Sequence, residues 1–182
     1  MADLAQRVLR LGTPIVFGVT SSTTVAGLTV TNNLGLDALA AGSGRMGVEA
    51  DLGSDIPPYL LCIGVVETGT APTAGGTAEY YLAFSHDGTN YPSGVTGADA
   101  AWPSDGNEDE WKVQLGRPVS VLVATNDGTV IQMQQPRLIV PAGRYIAPVC
   151  DNNLSQAFRD ETTASDNGSG LIVYPVYEYF IG

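Results

Sequence analysis

The feature that most constrains the fold of this chain is a succession of short apolar runs, each ended by a cluster of glycine, proline, asparagine or aspartate. The runs are rich in valine, isoleucine, threonine and tyrosine, which favour the half-buried surface of a pleated sheet. The clusters between them are typical of turns. Nine segments follow the pattern: residues 13–19, 23–31, 44–52, 58–66, 77–86, 117–125, 129–140, 143–150 and 170–181. The sequence therefore predicts an all-β fold.

The spacing of apolar residues also favours strands over helices. In residues 77–86 the even positions from Ala78 to Phe84 are apolar and most odd positions are small or polar, which predicts one core face and one solvent face. Residues 58–66 are apolar at nearly every position, which predicts a strand covered on both faces. The best helical spacing lies in residues 2–11, a segment too short to form a stable helix without packing.

The length of the chain and its loops favour one sandwich domain. A chain of 182 residues suits a single domain, and eight or nine short strands in one domain predict two packed sheets or a barrel. Two long connections, residues 87–110 and 151–169, favour a jelly roll, with an immunoglobulin-like sandwich as the alternative. We therefore predict a short N-terminal arm over residues 1–12 and a single jelly-roll-like β-sandwich of eight or nine strands over residues 13–182.

The charge of the chain argues against several classes of partner. Lysine and arginine number 8 and aspartate and glutamate 19, for a net charge of −11. Nucleic-acid binding needs a basic footprint, so we expect no nucleic-acid partner, and an anionic membrane surface is an equally poor match. No apolar run approaches the 18 or so residues of a membrane span. The N-terminal segment also lacks the apolar centre of a signal peptide, so we expect a protein made in a cytosol-like compartment.

The chain offers few side chains for catalysis or metal binding. His86 is the single histidine, and because it ends a strand beside a turn we interpret it as a strand-end residue. Glu108 and Glu110 would lie about 6–7 Å apart in an extended segment, a spacing compatible with glycoside hydrolysis, but no complete acidic motif accompanies them. With Asp105 and Asp109 they are interpreted as a solvated acidic loop, with a bound Ca²⁺ as the alternative. We therefore expect no enzymatic activity and no cofactor.

The two cysteines are interpreted as buried free thiols. Cys62 and Cys150 each lie in an apolar, strand-like run, and they are far apart in the sequence. A disulfide framework usually has closer and more numerous cysteines. A single structural disulfide stays open as the alternative.

Two Asp-Gly pairs predict hairpins. They occur in SHDGTNY (85–91) and in TNDGTV (125–130), each beside a strand-like segment. Asp-Gly between strands is a strong hairpin signal because both residues accept a positive φ.

Three aromatic residues, Tyr91, Trp102 and Trp111, fall in or beside the long connection at 87–110. Aromatic rings on loops can stack on sugars or anchor a protein partner. They can equally pack back against the end of the sandwich, so an interaction surface and loop packing are both open interpretations.

Both ends of the chain carry features of an assembly surface. Residues 170–181 are apolar on both faces, and Pro175 removes one backbone donor, which predicts an edge strand or a bulge. An edge strand of this kind needs a cover, either from its own domain or from another subunit. The N-terminal arm adds spaced aliphatic residues and two arginines. The candidate partner-binding residues are Leu4, Arg7, Val8, Arg10, Tyr174, Tyr177, Tyr179 and Phe180.

The chain resembles the capsid decoration (cement) proteins and related virion structural proteins of tailed bacteriophages. The resemblance lies in how the whole chain is organised, with an N-terminal arm, short strands rich in glycine and threonine, the segments YYLAFSHDGTNYPSGVTGADAAWP and RLIVPAGRYIAPVCDNNLSQAF, and a closing aromatic strand. It implies a β-sandwich without catalytic activity that binds the lattice of the major capsid protein, on the surface of a virion assembled in the host cytoplasm. It also implies a homo-oligomer, and a trimer is our first expectation.

Two other functions stay open. A carbohydrate-binding module would use Tyr91, Trp102 and Trp111 to stack on sugar rings. A tail or neck component of a phage belongs to the same structural class as a decoration protein, and the sequence does not separate the two.

Overall fold

The computed structural model describes residues 6–20, 24–103, 108–125, 132–160 and 168–181. Within these ranges the chain forms two large sheets, one small hairpin of β3 (Thr24–Val25) and β4 (Leu28–Thr29), and one helix, α1 (Glu108–Leu115); strands are numbered in chain order. Sheet I contains β1 (Gln6–Leu11), β2 (Ile15–Gly18), β5 (Asn32–Asn33), β8 (Tyr59–Val66), β12 (Gln132–Met133), β13 (Arg137–Ile139) and β15 (Gly170–Ile181). Sheet II contains β6 (Ser43–Met46), β7 (Ala50–Asp51), β9 (Thr77–Ser85), β10 (Ala100–Trp102), β11 (Ser120–Val123) and β14 (Tyr145–Asn153).

The strand order is that of a jelly roll. Neighbouring strands follow the order β13–β8–β15–β2 in sheet I and β6–β14–β9–β11 in sheet II, and every one of these pairs is antiparallel. If these eight strands are renumbered along the chain, the order is 6-3-8-1 in one sheet and 2-7-4-5 in the other, which is the arrangement of two Greek keys in a double-sheet jelly roll. The prediction of an all-β, jelly-roll-like sandwich is confirmed. The immunoglobulin-like alternative divides its strands differently between the sheets.

The main core lies between the two sheets. Alternate residues of each strand point into it, and the fully buried members include Phe17, Cys62 and Leu171 of sheet I and Tyr80, Ile146 and Cys150 of sheet II. The phenol of Tyr80 donates a hydrogen bond to the carbonyl of Val65 at 2.7 Å, so its polar end is satisfied inside the core. Both cysteines are buried and free, as predicted.

Each sheet carries a further apolar cluster on its outer face. On sheet II, Tyr81 and Ala83 are buried in a cluster that also contains Trp102, Trp111 and Leu115. The prediction that the odd positions of residues 77–86 face solvent is therefore wrong at Tyr81 and Ala83, because a loop and α1 cover that face.

On sheet I, the outer cluster is covered by the small hairpin. Val16, Val65 and Ile172 are buried together with Val25 of β3, and Leu28 of β4 packs against them. The predicted two-sided burial of residues 58–66 holds at the Val65 end of β8, which the hairpin covers.

Helix α1 replaces the loop predicted at its position. Residues 108–110 are acidic and occupy the first turn, and Lys112 lies in the last, which suits the helix dipole. The extended geometry expected for Glu108 and Glu110 is wrong, because residues two apart on a helix point to different sides. Asp105 and the side chain of Glu108 lie outside the described residues. No helix in the described ranges is long and apolar enough to cross a membrane.

The weak helical spacing at residues 2–11 and the first hairpin signal also have different outcomes from those predicted. Residues 6–11 form strand β1, because pairing with β15 overrides the local pattern. β9 is followed by β10, which pairs with β6 and not with β9. The first Asp-Gly pair therefore does not join a hairpin. The second pair, at positions 127 and 128, lies outside the described residues, and the flanking strands β11 and β12 belong to different sheets. The turn at Asp87 is nevertheless formed, since its carboxylate accepts the N–H groups of Thr89 and Asn90, each at 2.9 Å.

Candidate interaction surface

Strands from opposite ends of the chain form one structure. β1 pairs antiparallel with the last six residues of β15, from Gln6 opposite Ile181 to Leu11 opposite Val176. We call residues 6–11 and 176–181 the terminal ribbon. It brings together most of the partner-binding candidates that the sequence placed at the two ends: Arg7, Val8, Arg10, Tyr177, Tyr179 and Phe180.

A β-bulge joins the terminal ribbon to the sandwich. Residues 12–14 of the first strand oppose only residues 174–175 of β15, so one extra residue is accommodated there. Pro175 lies opposite the bulge, and its carbonyl accepts the N–H of Gly12 at 2.7 Å. Of the two alternatives predicted for Pro175, the bulge is confirmed. The edge position is wrong, since β15 lies between β8 on one side and β1 with β2 on the other.

The terminal ribbon extends past the end of sheet I. The pairing of β8 with β15 ends at Tyr59 opposite Val176, and the pairing of β2 ends at Ile15. Beyond Val176, β1 is the one described strand that lies beside β15. A two-stranded ribbon is at best marginally stable in water by itself, so contact with another molecule would stabilise it.

One face of the ribbon continues the core-facing side of sheet I. Val173 faces the main core, so the alternation of the strand places Tyr177 and Tyr179 on the same side, beyond the sandwich. Val8 pairs with Tyr179 and Arg10 with Tyr177, which puts both on this inner face of the ribbon.

A groove lies along the inner face. It has a volume of 410 Å³ and is lined by Arg10, Leu11, Gly12, Thr13, Pro14, Tyr177 and Tyr179. A Cβ on residue 12 would lie 3.0 Å from Cε2 of Tyr177, so the absence of a side chain at Gly12 lets the ring pack against the bulge. Tyr179 is 49% exposed, and no ion-pair partner of Arg10 occurs among the described residues. Arginine and tyrosine are enriched among the residues that carry binding energy at protein interfaces.

The opposite, outer face of the ribbon carries an ion pair and two exposed leucines. Nε of Arg7 donates to Oε2 of Glu178 at 2.9 Å, and this hydrogen bond raises the pKa of Arg7. Leu9 is 58% and Leu11 52% exposed, and Leu11, next to the bulge, also lines the groove. The side chain of Phe180, opposite Arg7 in the pairing, lies outside the described residues, and so does Leu4.

The strands of sheet I contain few acidic residues. They contain three arginines, Arg7, Arg10 and Arg137, and one carboxylate, Glu178. The chain as a whole has 19 acidic residues and a net charge of −11. Among the strand residues, carboxylates are thus more frequent in sheet II, whose strands carry Asp51, Glu79 and Asp151.

The three loop aromatic residues pack against sheet II. Trp102 is 1% exposed and donates its indole N–H to the carbonyl of Ser93 at 3.0 Å. The ring centroid of Trp111 lies 6.2 Å from that of Trp102, and its ring occupies the space where a Cβ on Gly94 would be. These residues thus pack the loop against the outer face of sheet II, and the buried Trp102 ring is not available to stack on a sugar.

Tyr91, the third loop aromatic residue, is half-buried. Its hydroxyl donates a hydrogen bond to the carboxylate of Glu49. Burial, followed by this hydrogen bond, raises the pKa of Tyr91. Tyr91 therefore ties the loop to the segment between β6 and β7.

The remaining candidates are dispersed. His86 is exposed directly after β9, and Asp109 and Glu110 are exposed on α1. Tyr174 is half-buried on the outer face of sheet I, beside the cluster under the hairpin. Within the described ranges, no group of three or more histidine, cysteine, aspartate or glutamate side chains is arranged to hold a metal ion.

Comparisons with protein families, with characterised proteins and with solved structures found no significant match.

The groove itself was not predicted from the sequence, although two sequence features mark its position once the structure is known. Arg10 and Tyr177 belong to opposite ends of the chain, and only the pairing of β1 with β15 makes them neighbours. The glycine and proline at positions 12 and 14, inside an otherwise strand-like stretch, are the local indication of the bulge.

Proposed function

We propose that this protein is a non-enzymatic virion structural protein of the decoration type, which attaches to an assembled capsid lattice through the groove on its terminal ribbon. The observation that carries the proposal is the projection of the ribbon past the sandwich, with Arg10, Tyr177 and Tyr179 around a groove of 410 Å³. The resemblance to phage decoration proteins supports the choice of a tailed-phage capsid as the lattice.

The chemistry of the groove fits a protein partner. Two tyrosine rings supply rigid apolar area at low entropic cost, and their hydroxyls can exchange hydrogen bonds with a partner backbone. The guanidinium of Arg10 is exposed beside them and suits a carboxylate. We therefore expect the bound surface of the lattice to present an apolar side chain next to an acidic one.

Attachment of this kind stabilises a capsid by mass action. A protein that binds only the assembled lattice shifts the equilibrium away from dissociated subunits, by an amount set by its free concentration relative to its dissociation constant. No catalytic step is required. Threefold self-association, which the resemblance implies, stays a prediction.

The test is binding to purified capsids of the phage that encodes this chain, after the native copies have been removed. We expect the wild-type protein to co-sediment with these particles. Tyr179→Asp and Arg10→Glu should abolish co-sedimentation, because each places a carboxylate in the groove. Val113→Asp is the matched control, since Val113 is 81% exposed on α1, at the outer face of sheet II.

Two results would contradict the proposal. The wild-type protein could fail to co-sediment with the capsids at any concentration, which would remove the lattice as its partner. Alternatively, Tyr179→Asp and Arg10→Glu could bind as well as the wild type while keeping its circular dichroism spectrum, which would remove the groove as the attachment site.

A further inference from the structure

The backbone of strand β1 is paired on one side only. The carbonyl of Pro175 accepts the N–H of Gly12 at 2.7 Å, so the odd-numbered residues of β15 direct their backbone groups toward the first strand. The register then makes the even-numbered residues of β1 the ones that bond to β15. The odd-numbered residues of β1 direct their N–H and C=O groups away from β15, and no described strand lies beside them: Arg7, Leu9 and Leu11.

β1 is the longest edge strand among the described strands. It has six residues, whereas the other described edge strands have at most four. Elsewhere the chain covers its edges. The N–H of Val16 in β2 donates to Oγ1 of Thr31 at 2.9 Å, and the N–H of Val121 in β11 donates to the side-chain carbonyl of Gln134. A long open edge is a template for pairing with another chain, so β1 is the edge best suited to accept a strand.

The groove of the terminal ribbon adjoins this open edge. Its lining runs consecutively from Arg10 to Pro14 and is completed by Tyr177 and Tyr179, so the groove follows the strand whose backbone is open. No carboxylate occurs among these lining residues, and Arg10 has no ion-pair partner among the described residues. A strand added beside β1 would continue the inner face of the ribbon, and its alternate side chains would lie next to Val8 and Arg10.

We propose that the open edge of β1 binds an extended segment of the partner protein as an additional antiparallel strand, with carboxylates on the side of the groove and apolar side chains on the other side. Backbone hydrogen bonds would supply the affinity, and the alternate side chains would supply the specificity. A carboxylate beside Arg10 would form a charge-assisted hydrogen bond with the guanidinium. Apolar side chains on the other side would cover Leu9 and Leu11, which are 58% and 52% exposed.

The charge of β1 selects a different sequence as its partner, and not a second copy of the same strand. β1 contains Arg7 and Arg10 and no carboxylate, so two copies paired at this edge would bring arginine close to arginine, which is destabilising. The inference deepens the proposed function, since it describes the part of the lattice that is recognised. It rests on the proposed function only for the identity of the partner as a capsid protein.

The test is an NMR titration of the isotope-labelled protein with short synthetic peptides, up to millimolar concentration. A peptide in which valine and glutamate alternate should shift the amide resonances of Arg7, Leu9 and Leu11 and slow their hydrogen exchange, because these N–H groups gain acceptors. Methylation of the backbone nitrogens of its valines should abolish binding, since the valines take the hydrogen-bonded positions of the antiparallel pairing. Methylation of the backbone nitrogens of its glutamates should preserve binding, because those groups point away from β1.

A peptide in which valine and lysine alternate is the matched control. The net charge of −11 attracts this peptide more strongly than the glutamate peptide. It should nevertheless leave the resonances of β1 unchanged, because Arg10 repels its lysines. In the variant Arg10→Glu the order should reverse, with the lysine peptide bound at β1 and the glutamate peptide not bound there. Binding of the lysine peptide also shows that the variant keeps the terminal ribbon.

The proposal is overturned if the peptide of valine and glutamate leaves the resonances of β1 unchanged, or if it binds equally well with its valines methylated. A stronger effect of the lysine peptide on β1 of the wild type would overturn it too, because binding would then follow the overall charge. Capsid co-sedimentation separates this inference from the proposed function. A protein that binds capsids but not the glutamate peptide keeps the function and loses the added strand, whereas peptide binding at β1 without capsid binding does the reverse.

Discussion

Among the ion pairs of the described residues, the loss of Lys112 should destabilise the protein more than the loss of any other single partner. Nζ of Lys112 lies 2.5 Å from Oδ2 of Asp151 and 3.8 Å from Oε2 of Glu79. The side chain of Asp151 is only 2% exposed, and Glu79 is directly opposite it on the neighbouring strand. Lys112→Met removes the cation that these two carboxylates share, and like charges directly opposite are destabilising.

The size of the expected loss of stability follows from the burial of the Asp151 side chain. Removal of one partner of a buried ion pair costs about 3–5 kcal/mol, and the lower end applies because Lys112 itself is 20% exposed. With a urea m-value of about 2–3 kcal/mol/M for a domain of this size, the unfolding midpoint should fall by about 1–1.5 M. Urea titration followed by tryptophan fluorescence measures the midpoint.

Two controls isolate the cause. In an Asp151→Asn background, Lys112→Met should lower the midpoint much less, because no buried charge is left uncompensated at position 151. Arg7→Met should leave the midpoint nearly unchanged, since Arg7 is exposed on the ribbon. The reasoning is refuted if Lys112→Met lowers the midpoint no more than Arg7→Met does.

Three further predictions concern stability, titration and reactivity. Trp102→Ala should cost about 3–5 kcal/mol in urea unfolding because the ring is buried, and an unchanged midpoint would contradict the loop packing described for Trp102. The pKa of Asp51 is lowered to about 2, mainly by the hydrogen bond from Arg144 and secondly by the hydrogen bond from the N–H of Gly53. The resulting stabilisation is present above about pH 4 and lost as the pH falls through about 2; in Arg144→Gln, NMR titration should show this pKa raised toward its ordinary value. Burial raises the pKa of Cys62 to about 12 and that of Cys150 well above its ordinary value, so neither thiol should react with a disulfide reagent at pH 8 until urea unfolds the chain.

The strands with strong local patterns were predictable because their side chains meet the core through simple alternation. Ala78, Tyr80 and Leu82 lie in the main core as their spacing indicates. The outer face of the same strand was not predictable, since Tyr81 is buried by residues that follow in a distant loop and helix. Helix α1 itself has a weak pattern, and it is held by the contacts of Trp111 and Lys112 with sheet II.

The candidate surface was likewise predictable from the sequence only in part. The sequence marked Arg10 and Tyr177 as assembly residues at opposite ends of the chain, and it placed either a bulge or an edge at Pro175. Which alternative holds depends on what lies beside β15, and that is a long-range pairing with no local signal.

By itself, the sequence determined that this protein is an all-β sandwich, that it is acidic and that its cysteines are buried, because composition and period-two alternation act locally along each strand. Only the tertiary structure decided that the two chain ends form one ribbon and that Trp102 is part of a core and not of a binding surface. These properties come from contacts between residues far apart in the chain, and such contacts are set by the order of strands in the two sheets, which no single segment encodes.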